Sequence, residues 1–219
     1  MQNNVFEFDC HGVMVKISPA KPDDHITNKC KGGHFYEQPM LEDMQSRLNP
    51  GDRVLDIGAH VGGHTVFMAK VAGLQVDSFE PCDLMYGKLV ENIQLNGIGD
   101  LVTPHHMAVG ARAGKGHSEM LSETNLGFTK FRVGDGDVPV NSIDNMCFSD
   151  ITAMKIDVEG MEMPVLCGAA EMLRTQKPII YVEAGVYQSF ETIRDYLAIF
   201  GYEKVDVFNG TPTYLFIAS

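Results

Sequence analysis

Apolar positions along the chain change period several times, and each change marks an element. Val54, Leu55 and Ile57 form a short strand-like run around Asp56. The run breaks into Gly58, Gly62 and Gly63 and resumes at helical spacing through Val66, Phe67, Met68 and Val71. This predicts a strand, a tight turn and a helix to about Ala72. Upstream, Val5, Phe6, Phe8, Val13, Val15 and Ile17 alternate with polar residues around His11-Gly12, which predicts a hairpin. Residues 18–34 carry prolines and glycines without periodicity and are expected to be a surface loop. Apolar positions from Phe35 to Leu48 recur every three or four residues and predict an amphipathic helix, closed before Asn49-Pro50-Gly51.

Downstream, the rhythm is strand, helix, strand. A strand at Gln75–Phe79 ends at Glu80-Pro81, a helix over 83–96 stops at Asn96-Gly97, and a third strand is expected from Leu101 to Val109. Between Gly110 and Met146 the rhythm loosens: GKGHSEM and FTKFRV read as extra strands separated by LSETNLG, and VPVN as another strand before a short helix opened by Ser142. Ile151–Ile156 is a strand ending in Asp157, with a helix beyond Gly160. Pro178–Val182 ends in Glu183, a helix runs from about Ser189 to Phe200, and two last strands flank the turn signal Asn209-Gly210. The expected fold is therefore α/β: a mostly parallel sheet, helices on both faces and a C-terminal antiparallel hairpin. Residues 1–34 form an extension and 35–219 the main domain.

Composition narrows the function. Acidic residues number 29 against 17 basic ones, a formal net charge of −12, and no basic patch interrupts the chain. Such a surface repels a phosphate backbone, so nucleic acid is not an expected partner. The five cysteines are scattered without paired or metal-finger spacing, and no long apolar run or signal-like start is present. A reduced, cytoplasmic protein without a membrane span is expected. The oligomeric state is not legible.

The glycine turn points to a nucleotide-like ligand, and its spacing to which one. Counted from Gly58, a dinucleotide fingerprint requires glycine at the third and sixth positions, but the third is His60. Asp56 also stands two residues ahead, where it would repel a pyrophosphate. S-adenosylmethionine, with a sulfonium, an ammonium and a nucleoside but no phosphate, suits this arrangement. Glu80, 22 residues past Gly58 at a strand end, is placed to accept from both ribose hydroxyls. The next strand end, with His105, His106, Met107 and Ala108, lies where an adenine would. Glu37 is either a solvated first-turn glutamate or a ligand contact. Asp56, Glu80, Asp157 and Glu183 all end strands, and parallel-sheet folds bind ligands along that rim.

These residues carry a specific resemblance. LDIGAHVGGHT, the FEP of Phe79–Pro81 and KIDVEGMEMPVLCGA from Lys155, with LNPGDRV, NIQLNG and NSIDNM, resemble the FkbM-type family of class I S-adenosylmethionine-dependent methyltransferases over about residues 35–217. The resemblance implies a seven-stranded Rossmann-like sheet and methyl transfer to a hydroxyl of a sugar, polyketide or other small molecule, with S-adenosylhomocysteine as product. By position, Asp56, Gly58, Ala59, His60 and Gly62 would hold the amino acid part of the cofactor and Glu80 with Pro81 its ribose side. His106, Met107 and Ala108 would lie against the adenine, and Asp157 would face methyl donor and acceptor. His60 departs from the asparagine common there, and its titration would make binding pH-sensitive.

An alcohol must lose its proton during transfer. Asp157, Glu159 and Glu183 are the candidate catalytic carboxylates, ahead of His11, His34 and His64. A divalent metal on Asp157 and Glu183 is conceivable, although no clustered ligand signature indicates it. Residues 1–34 and 110–146 are expected to form the acceptor pocket. The rival readings are an RNA or protein methyltransferase on the same scaffold, a non-catalytic S-adenosylmethionine-binding module, and a dehydrogenase.

Overall fold

A computed structural model describes residues 5–21, 25–120, 129–185 and 189–219. The N-terminal hairpin pairs β1 (Phe6–Cys10) with β2 (Val13–Ile17), as the alternation predicts. Where a loop was expected, residues His25–Lys31 form a helix, α1. The GG pair ends it, the N–H of Gly32 returning to the carbonyls of Asn28 and Lys29. The amphipathic helix α2 spans Gln38–Arg47 rather than starting at Phe35, because Glu37 sits at φ 57 and turns the chain before Pro39.

The remaining elements alternate. They are β3 (Arg53–Ile57), α3 (Gly63–Val66), a π-helical turn (Phe67–Val71), β4 (Gln75–Phe79), α4 (Asp83–Asn96), β5 (Val102–His105), β6 (Ala108–Val109) and β7 (Gly114–Met120). After these come β8 (Thr129–Val133), β9 (Val138–Asn141), α5 (Ile143–Met146), β10 (Ile151–Ile156), α6 (Glu162–Cys167), α7 (Ala170–Thr175), β11 (Ile179–Glu183), α8 (Phe190–Ala198), β12 (Tyr202–Phe208) and β13 (Thr213–Ala218). The LSETNLG segment, expected as a linker, lies outside the described residues.

Seven strands form the main sheet in the order β12-β13-β11-β10-β3-β4-β5. β11, β10, β3, β4 and β5 pair in parallel, and β13 runs antiparallel to both neighbours. The third strand does not continue to Val109 as expected. It breaks after His105, where the N–H of Met107 returns to the His105 carbonyl, and Ala108–Val109 leaves to join a second sheet of order β6-β9-β7-β8. That second sheet contains the extra strands expected from residues 114–141.

Parallel strands buried on both faces need apolar side chains in both directions. Val54, Ala153 and Tyr181 enter a cluster with Met40, Leu41 and Met44 of α2 and Leu89 and Ile93 of α4. Their neighbours Leu55, Met154, Ile180 and Val182 enter another, with Val165 and Leu166 of α6, Met172 and Leu173 of α7, and Ile193 and Leu197 of α8. The hairpin is tied to α4 by two asparagines. Asn92 Oδ1 accepts from the Ser18 N–H at 2.6 Å, and Asn96 Oδ1 accepts from the Lys16 N–H at 3.0 Å, so Ile17 is fixed at the rim of the sheet. Among the described residues, no helix is long and apolar enough to cross a membrane.

Candidate active site

A cavity of about 300 Å³ opens beyond the C-terminal ends of β3, β4, β10 and β11. Its floor depends on Gly58. At φ +85, a Cβ there would fall 1.7 Å from the carbonyl oxygen of Asp157, so only glycine lets the ends of β3 and β10 approach. The loop after it lines the cavity with Ala59, His60, Val61 and Gly63, and a Cβ at Gly63 would meet open space.

One end of the cavity is organised by backbone donors. Glu80, at the end of β4, is buried. Its Oε2 accepts from the His60 N–H and its Oε1 from the Cys82 N–H, both at 2.8 Å, leaving further lone pairs on each oxygen. Burial pushes this carboxyl up to about 7 against the pull of those two donors. Phe79, Pro81, Met85, Met107 and Ala108 complete this end.

The other end is organised by charge. Asp157, Glu159 and Glu183 all line the cavity, so the three candidate carboxylates converge. The chain does not stay extended through Asp157 and Glu159. It turns at Glu159, φ 50, and Gly160, φ 102. Lys155, one strand position below, is 3% exposed. Its Nζ donates to the Gly58 carbonyl at 2.8 Å and lies 3.3 Å from Asp56 and 3.5 Å from Asp157. Burial works against its charge, but Asp56, Asp157 and Glu37 outweigh burial and raise its pKa. Asp157 is likewise opposed by burial, yet Lys155 and a hydrogen bond from Glu183 keep it below the ordinary carboxylate range. Glu183 takes the opposite direction, pushed up to about 10 by burial and by the Asp157 charge beside it. The two therefore share one proton, carried by Glu183. Glu159 is pushed up to about 7 by burial, then by Asp157 and Glu162.

Four expected site residues are not brought to the cavity wall. The carboxylate of Asp56 is fully buried beneath the floor, where it accepts from the Thr65 hydroxyl at 2.6 Å. The pleat turns residue 56 away from the face that Ile57 shares with the cavity. Gly62 backs onto α4, where a Cβ would stand 2.6 Å from Leu89 Cδ1. His106 is half-buried away from the cavity wall, stacked on Tyr86 of α4 at 4.5 Å and 3.0 Å from Asp83. Glu37 lies behind the wall, 3.7 Å from His64, and burial pushes it up to about 7. Of the histidines considered as bases, His11 and His34 are exposed, while His64 lines the cavity but is pushed down to about 4 by burial.

Sequence reasoning missed Tyr36 and Lys155. Tyr36 lines the cavity, stacks on His64, and has its hydroxyl pKa raised by burial and by Glu37. Lys155 had a signal: a lone cation within the apolar strand ITAMKI is costly unless carboxylates surround it. Among the described residues, no group of three or more His, Cys, Asp or Glu is arranged to hold a metal ion.

The sequence matches the profile of the methyltransferase FkbM domain over residues 56–204. No curated protein matches it. Among solved structures, the chain is similar to a methyltransferase FkbM from Methylobacillus flagellatus KT, with 18% identity and a TM-score of 0.59 over 78% of this chain and 44% of that one. It is also similar to M. jannaschii TYW2 in complex with AdoMet, with 16% identity and a TM-score of 0.53 over 99% of this chain and 85% of that one. A third is the tRNA methyltransferase TrmK of B. subtilis, with 11% identity and a TM-score of 0.54 over 82% and 65%. The chain thus spans less than half the length of the first of these. At such identities the likeness shows the fold, α/β and Rossmann-like, and a fold shared with a tRNA methyltransferase does not exclude a nucleic acid acceptor.

Proposed function

Since this chain belongs to the FkbM methyltransferase family, we propose that it methylates a hydroxyl oxygen of a small molecule, using S-adenosylmethionine. The observation that carries the reading is the convergence of Asp157, Glu159 and Glu183 at one end of a cavity whose other end holds Glu80.

The residues present fit the cofactor. Gly63 leaves open space where a side chain would intrude, the Glu80 oxygens keep lone pairs for a ribose diol, and the lining carboxylates Glu80, Asp157, Glu159 and Glu183 outnumber the lining lysines Lys130 and Lys155, which suits a sulfonium and an ammonium better than a phosphate. Gly58, Ala59 and His60 with Asp157 would hold the amino acid part, Glu80 and Pro81 the ribose, and Met107 and Ala108 with Phe79 the adenine. When bound, S-adenosylmethionine supplies an electrophilic methyl group. Asp157 stays ionised beside Lys155 and would attract the positively charged end of the cofactor, leaving the single proton of the acceptor hydroxyl to Glu159. Glu183 holds its proton and fixes Asp157. Glu159, titrating near neutrality, removes the hydroxyl proton. Much of the acceleration then comes from alignment.

The same reading places helices against both faces of the sheet, as the two apolar clusters support, and the protein in the cytoplasm, as its free cysteines support. An RNA acceptor is the second reading, favoured by the similarity to TrmK and opposed by the net charge of −12.

Calorimetric titration with S-adenosylhomocysteine, with NADH alongside, tests the cofactor. Binding in the micromolar range that weakens about 10-fold or more in Glu80→Ala is expected, since hydrogen bonds to a charged group are the stronger kind. NADH binding in its place would remove the methyltransferase reading. Tight, salt-sensitive tRNA binding by the protein would instead establish the RNA acceptor.

A further inference from the structure

The second sheet does more than extend the fold. In its β7–β8 pair, Ser118 stands opposite Phe131 and Gly116 opposite Val133. Residues two apart on a strand share a face, so Gly116, Ser118 and Phe131 belong to one face of the hairpin. Ser118 and Phe131 both line the cavity. Gly116 is buried, and a Cβ there would fall 2.2 Å from the Arg132 carbonyl oxygen and 2.6 Å from Cε1 and Cζ of Phe131. The missing side chain lets both the β8 backbone and the Phe131 ring close on this position. Phe131 belongs to none of the apolar core clusters found among the described residues; it is half-buried and turned to the cavity instead. The Ser118 hydroxyl is buried and has no hydrogen-bond partner among the described residues. A buried hydroxyl left in that state costs stability, so the arrangement is at a disadvantage until something bonds to it. The same cavity is lined by Asp157, Glu159 and Glu183; of its cations, Lys155 lies between Asp56 and Asp157 and Lys130 acts on Glu159, so an anionic acceptor would compete with carboxylates for both.

We propose that Phe131, seated on Gly116, acts with Ser118 as the specificity-determining surface for the methyl acceptor. It selects an uncharged, hydroxyl-bearing ring that lays an apolar face on Phe131, bonds Ser118 and presents a hydroxyl to the carboxylates opposite. Acceptors carrying a carboxylate or phosphate are turned away. This rests on the methyltransferase reading above.

The test measures S-adenosylhomocysteine release from labelled S-adenosylmethionine with a panel of methyl glycosides: neutral hexoses and 6-deoxyhexoses, the same sugars as uronates, and as 6-phosphates. Turnover confined to neutral members is expected. Phe131→Ala should raise KM about 10-fold with kcat nearly unchanged, and Phe131→Leu should recover part of the loss. In every variant the calorimetric affinity for S-adenosylhomocysteine should match the parent protein, which shows that the fold and the cofactor end are intact. Turnover of an anionic sugar at a comparable rate, no turnover of any neutral ring while S-adenosylhomocysteine binds, or an unchanged KM in Phe131→Ala would overturn the proposal. Failure of the parent protein to bind S-adenosylhomocysteine would instead overturn the reading on which it rests.

Discussion

The two ends of the cavity hold their carboxylates in different ways. Glu80 is fixed by two backbone N–H groups that the fold supplies whatever the pH. Asp157, Glu159 and Glu183 are fixed by one another and by a single buried lysine, so their geometry depends on where protons sit. The first arrangement suits recognition of a neutral diol, which needs acceptor oxygens held in fixed positions. The second suits proton transfer, where a group must change charge without the site collapsing.

Substitutions at the two ends should therefore fail differently. At the charge-organised end, Glu159→Gln should lower kcat by about 10²- to 10⁴-fold, remove an ionisation near neutrality from the pH–rate profile, and leave S-adenosylhomocysteine binding near that of the parent. Loss of binding instead of turnover would dissolve the distinction. Lys155→Met should destabilise the fold by about 3–5 kcal/mol in urea unfolding, because it leaves Asp56 and Asp157 buried without a cation. A variant of parental stability would show that protons, not Lys155, compensate those carboxylates.

At the backbone-organised end, Glu80→Gln keeps the shape and one acceptor oxygen. It should weaken S-adenosylhomocysteine by about 10-fold while kcat at saturating cofactor changes little. The smallest effect is on stability with pH. Glu37, Glu80 and Glu159 are raised to about 7 from 4.5, and Glu183 to about 10. Between the unfolded and folded values the native state binds more protons, so stability from these groups is full below 4.5 and is lost as pH rises through the folded values. His64, lowered from 6.5 to about 4, acts in the opposite sense below 6.5. Melting temperature should therefore fall by a few degrees from pH 6.5 to about pH 8, and Glu37→Gln should flatten that fall. A melting temperature that rises over this interval would contradict the crowding of carboxylates at the cavity.

Much of this arrangement is legible in the sequence alone. The strand, glycine turn and helix around Gly58 were readable because the apolar period changes there from two to 3.6. The strand-end carboxylates Glu80, Asp157 and Glu183 were readable because charge that interrupts an apolar run is conspicuous. Helix α1 was not readable, because a seven-residue segment containing Asn28 and Gly32 nearby carries too little period to separate it from a loop. The break after His105 was not readable either, because VTPHHMAV looks like one strand until a different partner strand claims its second half.

By itself the sequence determined the strand–helix alternation from β3 to β13 apart from the break after His105, the rim of strand-end acids and the family to which the chain belongs, since each rests on local pattern. The tertiary structure alone decided which acids face the cavity and which lie under it. It turned Asp56 beneath the floor and His106 onto Tyr86, made Lys155 the common partner of Asp56 and Asp157, and seated Phe131 on Gly116. The reason is physical: the direction of a side chain is set by the pleat of its strand, but what it meets there is set by the neighbouring strands and by a second sheet distant in sequence.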